Sequence, residues 1–244
     1  MLVPTKTDET KMNIVAIIPA RGGSKRIPNK NIKTFADQPI ISYSIKAAQD
    51  VELFDRIIVS TDSEKIAEVA ETCGAEVPFI RPSELADDFC ATVPVLLHAL
   101  DWLTEHGFAT DYFCCIYATA PFVRPEHITE GFNLLKKRNA STAFSVTTFP
   151  YPISRALKIG NDGRIEMFWP EHENSRSNDL PKSYHDAGQF YWGNTKKFMS
   201  EKTFFSSKAA PVIIPRYLVQ DIDTREDWET AEKMYLVLQM DKIE

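Results

Sequence analysis

Apolar runs of strand length alternate along this chain with segments whose apolar positions recur at helical spacing. Ile14–Pro19 is a continuous apolar run, which suits a strand covered on both faces in a parallel sheet. Residues 39–50 then set Ile40, Ile41, Ser44, Ile45 and Ala48 at helical spacing, with Pro39 acceptable in the first turn. Residues 56–60 read as a strand, and residues 63–73 as a helix closed by Gly74. The alternation continues with a short strand over 77–80, a helix over 92–106 before Gly107, and an apolar strand over 112–117. A helix over 125–138 and a strand over 143–147 follow. This βαβ rhythm predicts an α/β fold, a Rossmann-like doubly wound sheet whose ligand lies at the C-terminal ends of the strands.

The rhythm breaks over residues 149–182. That segment holds Pro150, Pro152, Pro170 and Pro181 and the polar run from Glu171 to Asp179. Inside it, residues 157–159 and 164–167 flank Asn161, Asp162 and Gly163 as a hairpin. One reading is a surface excursion. The other starts from Phe168 and Trp169, apolar residues that a monomer would cover poorly, and makes the segment an arm exchanged between two subunits. A strand over 189–192 and an amphipathic helix over 227–239 complete the pattern.

Length and charge narrow the class. A chain of 244 residues is read as one domain from residue 12 to 244, with residues 1–11 a polar, disordered extension that lacks the apolar core of a secretory signal. No stretch approaches the ~20 apolar residues of a membrane span. A formal charge of -6 argues against general nucleic-acid binding. Cys73, Cys90, Cys114 and Cys115 lack the spacing of a zinc site, which points to reduced thiols in a cytoplasmic protein.

The basic residues gather instead in one loop, IPARGGSKRIPNKN, from Ile18 to Asn31. Gly22 and Gly23 let backbone amides approach a ligand, Ser24 adds a hydroxyl, and Arg21, Lys25, Arg26 and Lys30 supply cations. The order matches neither GxxxxGK[ST] nor GxGxxG, so it is a polyanion cradle of another kind, with a solvated basic turn as the plainer alternative.

This loop resembles the ARGGSKxIPxKN signature of the CMP-sialic acid synthetase family, cytidylyltransferases that activate nonulosonic acids. Asp221, Ile222, Asp223 and Thr224 reproduce that family's DIDT segment, and RPSELADD from Arg81 to Asp88 resembles its RPxELAxD. The resemblance implies a mixed sheet of the nucleotide-diphospho-sugar transferase type, a homodimer, and transfer from CTP to a sugar acid. It assigns nucleotide binding to Ala20, Arg21, Gly22, Gly23, Ser24, Lys25, Lys30, Asn31 and Arg81, with Arg21, Lys25 and Lys30 as the catalytic cations. Arg26 reads equally as a solvent-facing cation, and Arg81 as an ordinary loop cation. Mg²⁺ is implied at Asp221 and Asp223, whose carboxylates share a face if the segment is an extended strand. Alternatively, Asp223 or Thr224 caps the next helix.

Two departures bear on the sugar. Tyr117 stands where sialic acid enzymes carry glutamine in QPTSP, and HDAGQFYWG from His185 to Gly193 replaces their RPNGAIY. The second string, with FWPEHENSRSNDLPKSY, is similar to the pseudaminic acid cytidylyltransferase branch of the family. The expected sugar-site residues are Tyr117, His185, Gln189 and Arg155, with Tyr151, Phe168, Trp169, Phe190 and Trp192 as walls or, alternatively, core. Sialic, legionaminic and 3-deoxy-manno-octulosonic acids are rival substrates, and a non-catalytic nucleotide-binding module is a rival of another class.

Overall fold

The first strand, β1 (Ile14–Pro19), is apolar throughout because both of its faces are covered. Ile14, Ala16 and Ile18 pack into one layer, while Val15 and Ile17 pack into the other. This is the strand alternation expected when helices lie on both sides of a sheet. The computed structural model describes residues 11–240. The expectation of a disordered extension lies outside them except at Lys11, whose Nζ is 2.8 Å from Asp55.

A small hairpin, β2 (Thr34–Phe35) and β3 (Gln38–Pro39), leads into α1 (Ile40–Asp50). Then come β4 (Arg56–Ser60), α2 (Glu64–Thr72), α3 (Thr92–Glu105), β5 (Tyr112–Ile116), α4 (Pro125–Lys137) and β6 (Thr142–Thr148). The second half holds the hairpin β7 (Leu157–Ile159) and β8 (Ile165–Met167), then β9 (Tyr184–Asn194), α5 (Thr195–Glu201), β10 (Ala209–Ile213) and α6 (Arg225–Met240). Six strands form the central sheet in the order β10-β6-β9-β5-β1-β4. Only β9 runs antiparallel to its neighbours, so the sheet is mixed but mostly parallel.

Helices α1, α2, α4 and α6 contribute to the layer that holds Ile18 of β1, and α3 and α5 to the opposite layer. Trp192 of β9 is fully buried, and its indole N–H donates to the Ile128 carbonyl at 2.8 Å. Phe190 is also fully buried. Both are core residues, which removes them as candidate sugar walls.

Three segments depart from the sequence reading. Residues 77–80 form no strand; the region contributes only isolated bridges, Ile58 to Glu76 and Thr61 to Ile80. Pro78 within it has no N–H to give to a ladder. Strand β9 is far longer than residues 189–192, and its pairing with β6 is irregular opposite Ser145, near Gly188 with φ of 63°. Helix α5 and edge strand β10 had no counterpart in the apolar pattern.

Candidate active site

Strand β1 delivers its chain to the C-terminal edge of the parallel strands, where residues 20–29 turn as an ordered loop. The Ala20 N–H donates to the Ser60 carbonyl at 2.9 Å, and the Gly22 N–H to Asp62 Oδ1 at 2.8 Å. A Cβ on Gly22 would lie 3.1 Å from Ser63 Cβ, so the loop lies flush against the end of β4. Asn31 is buried, and its side-chain amide donates to the Arg21 carbonyl at 2.9 Å. Asn29, with φ of 53°, turns the chain into a short 3₁₀ helix at Lys30–Ile32.

The loop's cations meet two acids from distant parts of the chain. Arg21 lies 2.6 Å from Asp88 Oδ1 and Lys25 lies 2.5 Å from Asp88 Oδ2. These contacts, Lys25 first and Arg21 second, hold the Asp88 carboxyl below the usual carboxylate range. Arg26 lies 3.0 Å from Asp223 Oδ2, while Lys30 donates to the Ile222 carbonyl at 2.7 Å and lies 3.3 Å from Asp223 Oδ1. Arg26, read from sequence as equally a solvent-facing cation, is exposed and also pairs with Asp223 at the cavity edge. The free protein therefore already holds carboxylates against the cations that a polyphosphate would use.

Between these walls lies an open cavity of about 300 Å³. Arg21, Ser24, Lys25 and Lys30 line it from the loop side, with Arg81 and Tyr117 among the residues facing them. Arg81 is only 4% exposed, and its Nε and Nη2 have no hydrogen-bond partner. Burial pushes its pKa down, and the nearby Asp62 carboxylate, 3.7 Å from Nη2, opposes that shift. A buried guanidinium with unused donors is costly unless something binds it.

Tyr117 follows β5. Its N–H donates to the Gln189 carbonyl at 2.9 Å, and its own carbonyl accepts the Ser44 hydroxyl at 2.7 Å. The phenol oxygen is 3.1 Å from Thr92 Oγ1, and burial pushes the phenol pKa up. The backbone is fixed while the ring forms part of the cavity wall.

The other three expected sugar-site residues do not line this cavity within one chain. Gln189 is buried, and its amide donates to the Leu218 carbonyl at 2.6 Å. His185 packs on Phe149 with ring centroids 4.8 Å apart, its Nδ1 2.9 Å from the Asp186 carbonyl. Arg155 lies in the arm, beside a separate cavity that includes Tyr151 and Met167. Tyr151, Phe168 and Trp169 are exposed.

The Asp221–Asp223 segment is not a strand, so the same-face argument from extended geometry does not apply. It is a loop leading into α6. Thr224 takes the capping role: Thr224 N–H donates to Asp227 Oδ2 at 2.7 Å and Asp227 N–H to Thr224 Oγ1 at 3.2 Å, a reciprocal capping box. Asp223 is left free to line the cavity. Partial burial and then the Asp223 carboxylate raise the Asp221 pKa, a repulsion that a divalent cation would relieve. No cluster of three or more His, Cys, Asp or Glu suited to a metal occurs among the described residues. Asp223 lines the cavity and Asp221 does not; a pair of carboxylates is a donor set that suits a hard cation completing its shell with phosphate and water, as Mg²⁺ does.

Asp62 and Thr92 went unnoticed in the sequence. Asp88, the last residue of the RPSELADD segment, pairs with Arg21 and Lys25 of the basic loop. A charged residue shortly after an apolar strand, as Asp62 is two residues past the end of β4, is the one signal that points to it in the sequence.

A family model described as Cytidylyltransferase matches residues 15–240. The chain belongs to the cytidylyltransferase family. It is therefore a nucleotidyltransferase. It is 41% identical over 226 residues to a pseudaminic acid cytidylyltransferase of Campylobacter jejuni subsp. jejuni, covering 93% of this chain and 97% of the relative. It is 32% identical to the CMP-N,N'-diacetyllegionaminic acid synthase of Legionella pneumophila, covering 91% and 96%. Among solved structures, a CMP:2-keto-3-deoxy-manno-octonic acid synthetase complexed with CTP superposes with a TM-score of 0.67 at 15% identity, covering 93% of this chain and 99% of that one. That likeness establishes the shared fold. Among the described residues, no helix is long and apolar enough to cross a membrane.

Proposed function

We propose that this cytidylyltransferase joins CMP from CTP to pseudaminic acid and releases pyrophosphate. The observation that carries the reading is the cation-rich loop of β1 facing a buried, underused Arg81 across one cavity. The 41% identity to a pseudaminic acid enzyme supports the choice of sugar, as does Tyr117. In the reaction, the anomeric hydroxyl oxygen bonds to the α-phosphorus. The bond from that phosphorus to the β-bridging oxygen breaks, and the hydroxyl proton passes to solvent.

Such transfer depends mainly on positioning and charge compensation. Arg21, Lys25 and Lys30 exchange carboxylate partners for phosphate oxygens, Ser24 and the loop amides add donors, and Asn31 keeps the loop in shape through the Arg21 carbonyl. Arg81 takes the nucleotide on the opposite wall. Asp221 and Asp223 would hold Mg²⁺, which when bound supplies positive charge at the α-phosphate and the leaving pyrophosphate. Tyr117 offers an apolar face to a sugar that carries acetamido and methyl substituents.

The arm of residues 149–182 serves a homodimer, in which it reaches the partner's sugar site and brings Arg155 to work there, while His185 stays on β9 of its own sheet. The exposed Tyr151, Leu157, Ile159, Ile165 and Phe168 support that role. With CTP as donor, the enzyme acts in the cytoplasm. Pyrophosphate release from CTP, measured with each of a panel of nonulosonic acids, tests the reading. Release with pseudaminic acid is expected, and release with none of them overturns the catalytic assignment.

A further inference from the structure

We infer that Asp62 is a positioning residue for nucleotide binding, one that fixes the phosphate loop and Arg81 at a set separation. The inference rests on the proposed use of the cavity by CTP. Residues 60–62, at the end of β4, are tied to both walls at once. On one side Ser60 accepts the Ala20 N–H at 2.9 Å, and Asp62 Oδ1 accepts the Gly22 N–H at 2.8 Å. On the other side the Thr61 carbonyl accepts the Arg81 N–H at 2.7 Å, and Thr61 bridges to Ile80.

One oxygen serves both walls. The Asp62 Oδ1 that holds the Gly22 amide is also 3.7 Å from Arg81 Nη2. Among the described residues Arg81 forms no other ion pair, since Asp88 is engaged by Arg21 and Lys25. Asp62 thus offsets a buried cation that has little water around it, without occupying the donors left for a ligand. The contact is close as well as charged, because a Cβ on Gly22 would be 3.6 Å from Asp62 Oδ2. Loss of the carboxylate frees the loop and leaves Arg81 uncompensated, and both effects weaken the grip on the nucleotide.

The test is calorimetric titration of the full chain with CTP, paired with steady-state kinetics in both substrates. Asp62→Ala is expected to weaken CTP binding by about tenfold or more, the loss of one charge-assisted contact. KM for the sugar acid stays close to the wild-type value. Asp62→Asn keeps an acceptor for Gly22 and recovers part of the affinity. Unchanged CTP affinity in Asp62→Ala overturns the inference, as do equal rises in both KM values. If neither variant folds by thermal denaturation, Asp62 is a stability residue and the inference falls. If the wild-type protein does not bind CTP, the proposed function itself falls, an outcome distinct from the others.

Discussion

Tyr117 carries most of the substrate argument, and it is held on all sides but one. Ser44 and Gln189 fix its backbone and Thr92 its hydroxyl, so the face toward the cavity is a stable wall. Tyr117→Gln should weaken the preference for pseudaminic over sialic acid by roughly 10- to 200-fold in kcat/KM, the range of one lost apolar contact. CTP affinity should change little. An unaltered ratio would detach Tyr117 from sugar choice. Asp221 gives a second prediction with a defined sign. Its folded pKa is raised, so its favourable contribution is present below the unfolded value and lost as pH rises through the folded value. At neutral pH the ionised carboxylate therefore opposes folding. Asp221→Asn should be at least as heat-stable as wild type in metal-free buffer while its turnover with Mg²⁺ collapses. A variant that loses stability and activity in parallel would contradict the metal assignment.

Helix α6 shows how an element secures the site. Its capping box takes Thr224 and Asp227 out of contention as ligands and orients Asp223 toward Arg26 and Lys30. Thr224→Ala should cost about 1 kcal/mol in urea denaturation. The Thr224 hydroxyl, then the Thr224 and Asp223 amides, lower the Asp227 pKa. That contribution is present above the unfolded carboxylate value of ~3.9 and lost as pH falls through the lower folded value. The acid-side fall in stability should therefore shrink in Thr224→Ala. The elements around this helix were unequally legible in sequence. Strand β1 and its loop were plain, because burial on both faces demands an unbroken apolar run and a phosphate loop demands Gly with cations. Strand β10 was not, since its exposed Pro211 and Ile213 blur the pattern at a sheet edge. The polar start of β9 hid its length. The place of Asp62 past an apolar strand was legible but its role was not, because that role arises only when Gly22 and Arg81, forty residues before and nineteen after it, fold onto it.

Across the whole molecule, the sheet places the basic loop, the Arg81 segment and the Asp223 loop around one opening, while the arm stands apart with its apolar side chains exposed. A chain with such a surface should be found by light scattering at twice its 27.7 kDa, and a stable monomer at micromolar concentration would remove the exchanged arm. The central claim is transfer of CMP to one sugar acid in preference to its relatives. Competition measures it most directly: limiting CTP is incubated with equal concentrations of pseudaminic, legionaminic and sialic acids, and the CMP-sugars are separated by chromatography. Product ratios then report relative kcat/KM. The account predicts CMP-pseudaminic acid as the dominant product; a majority of CMP-sialic or CMP-legionaminic acid would contradict it.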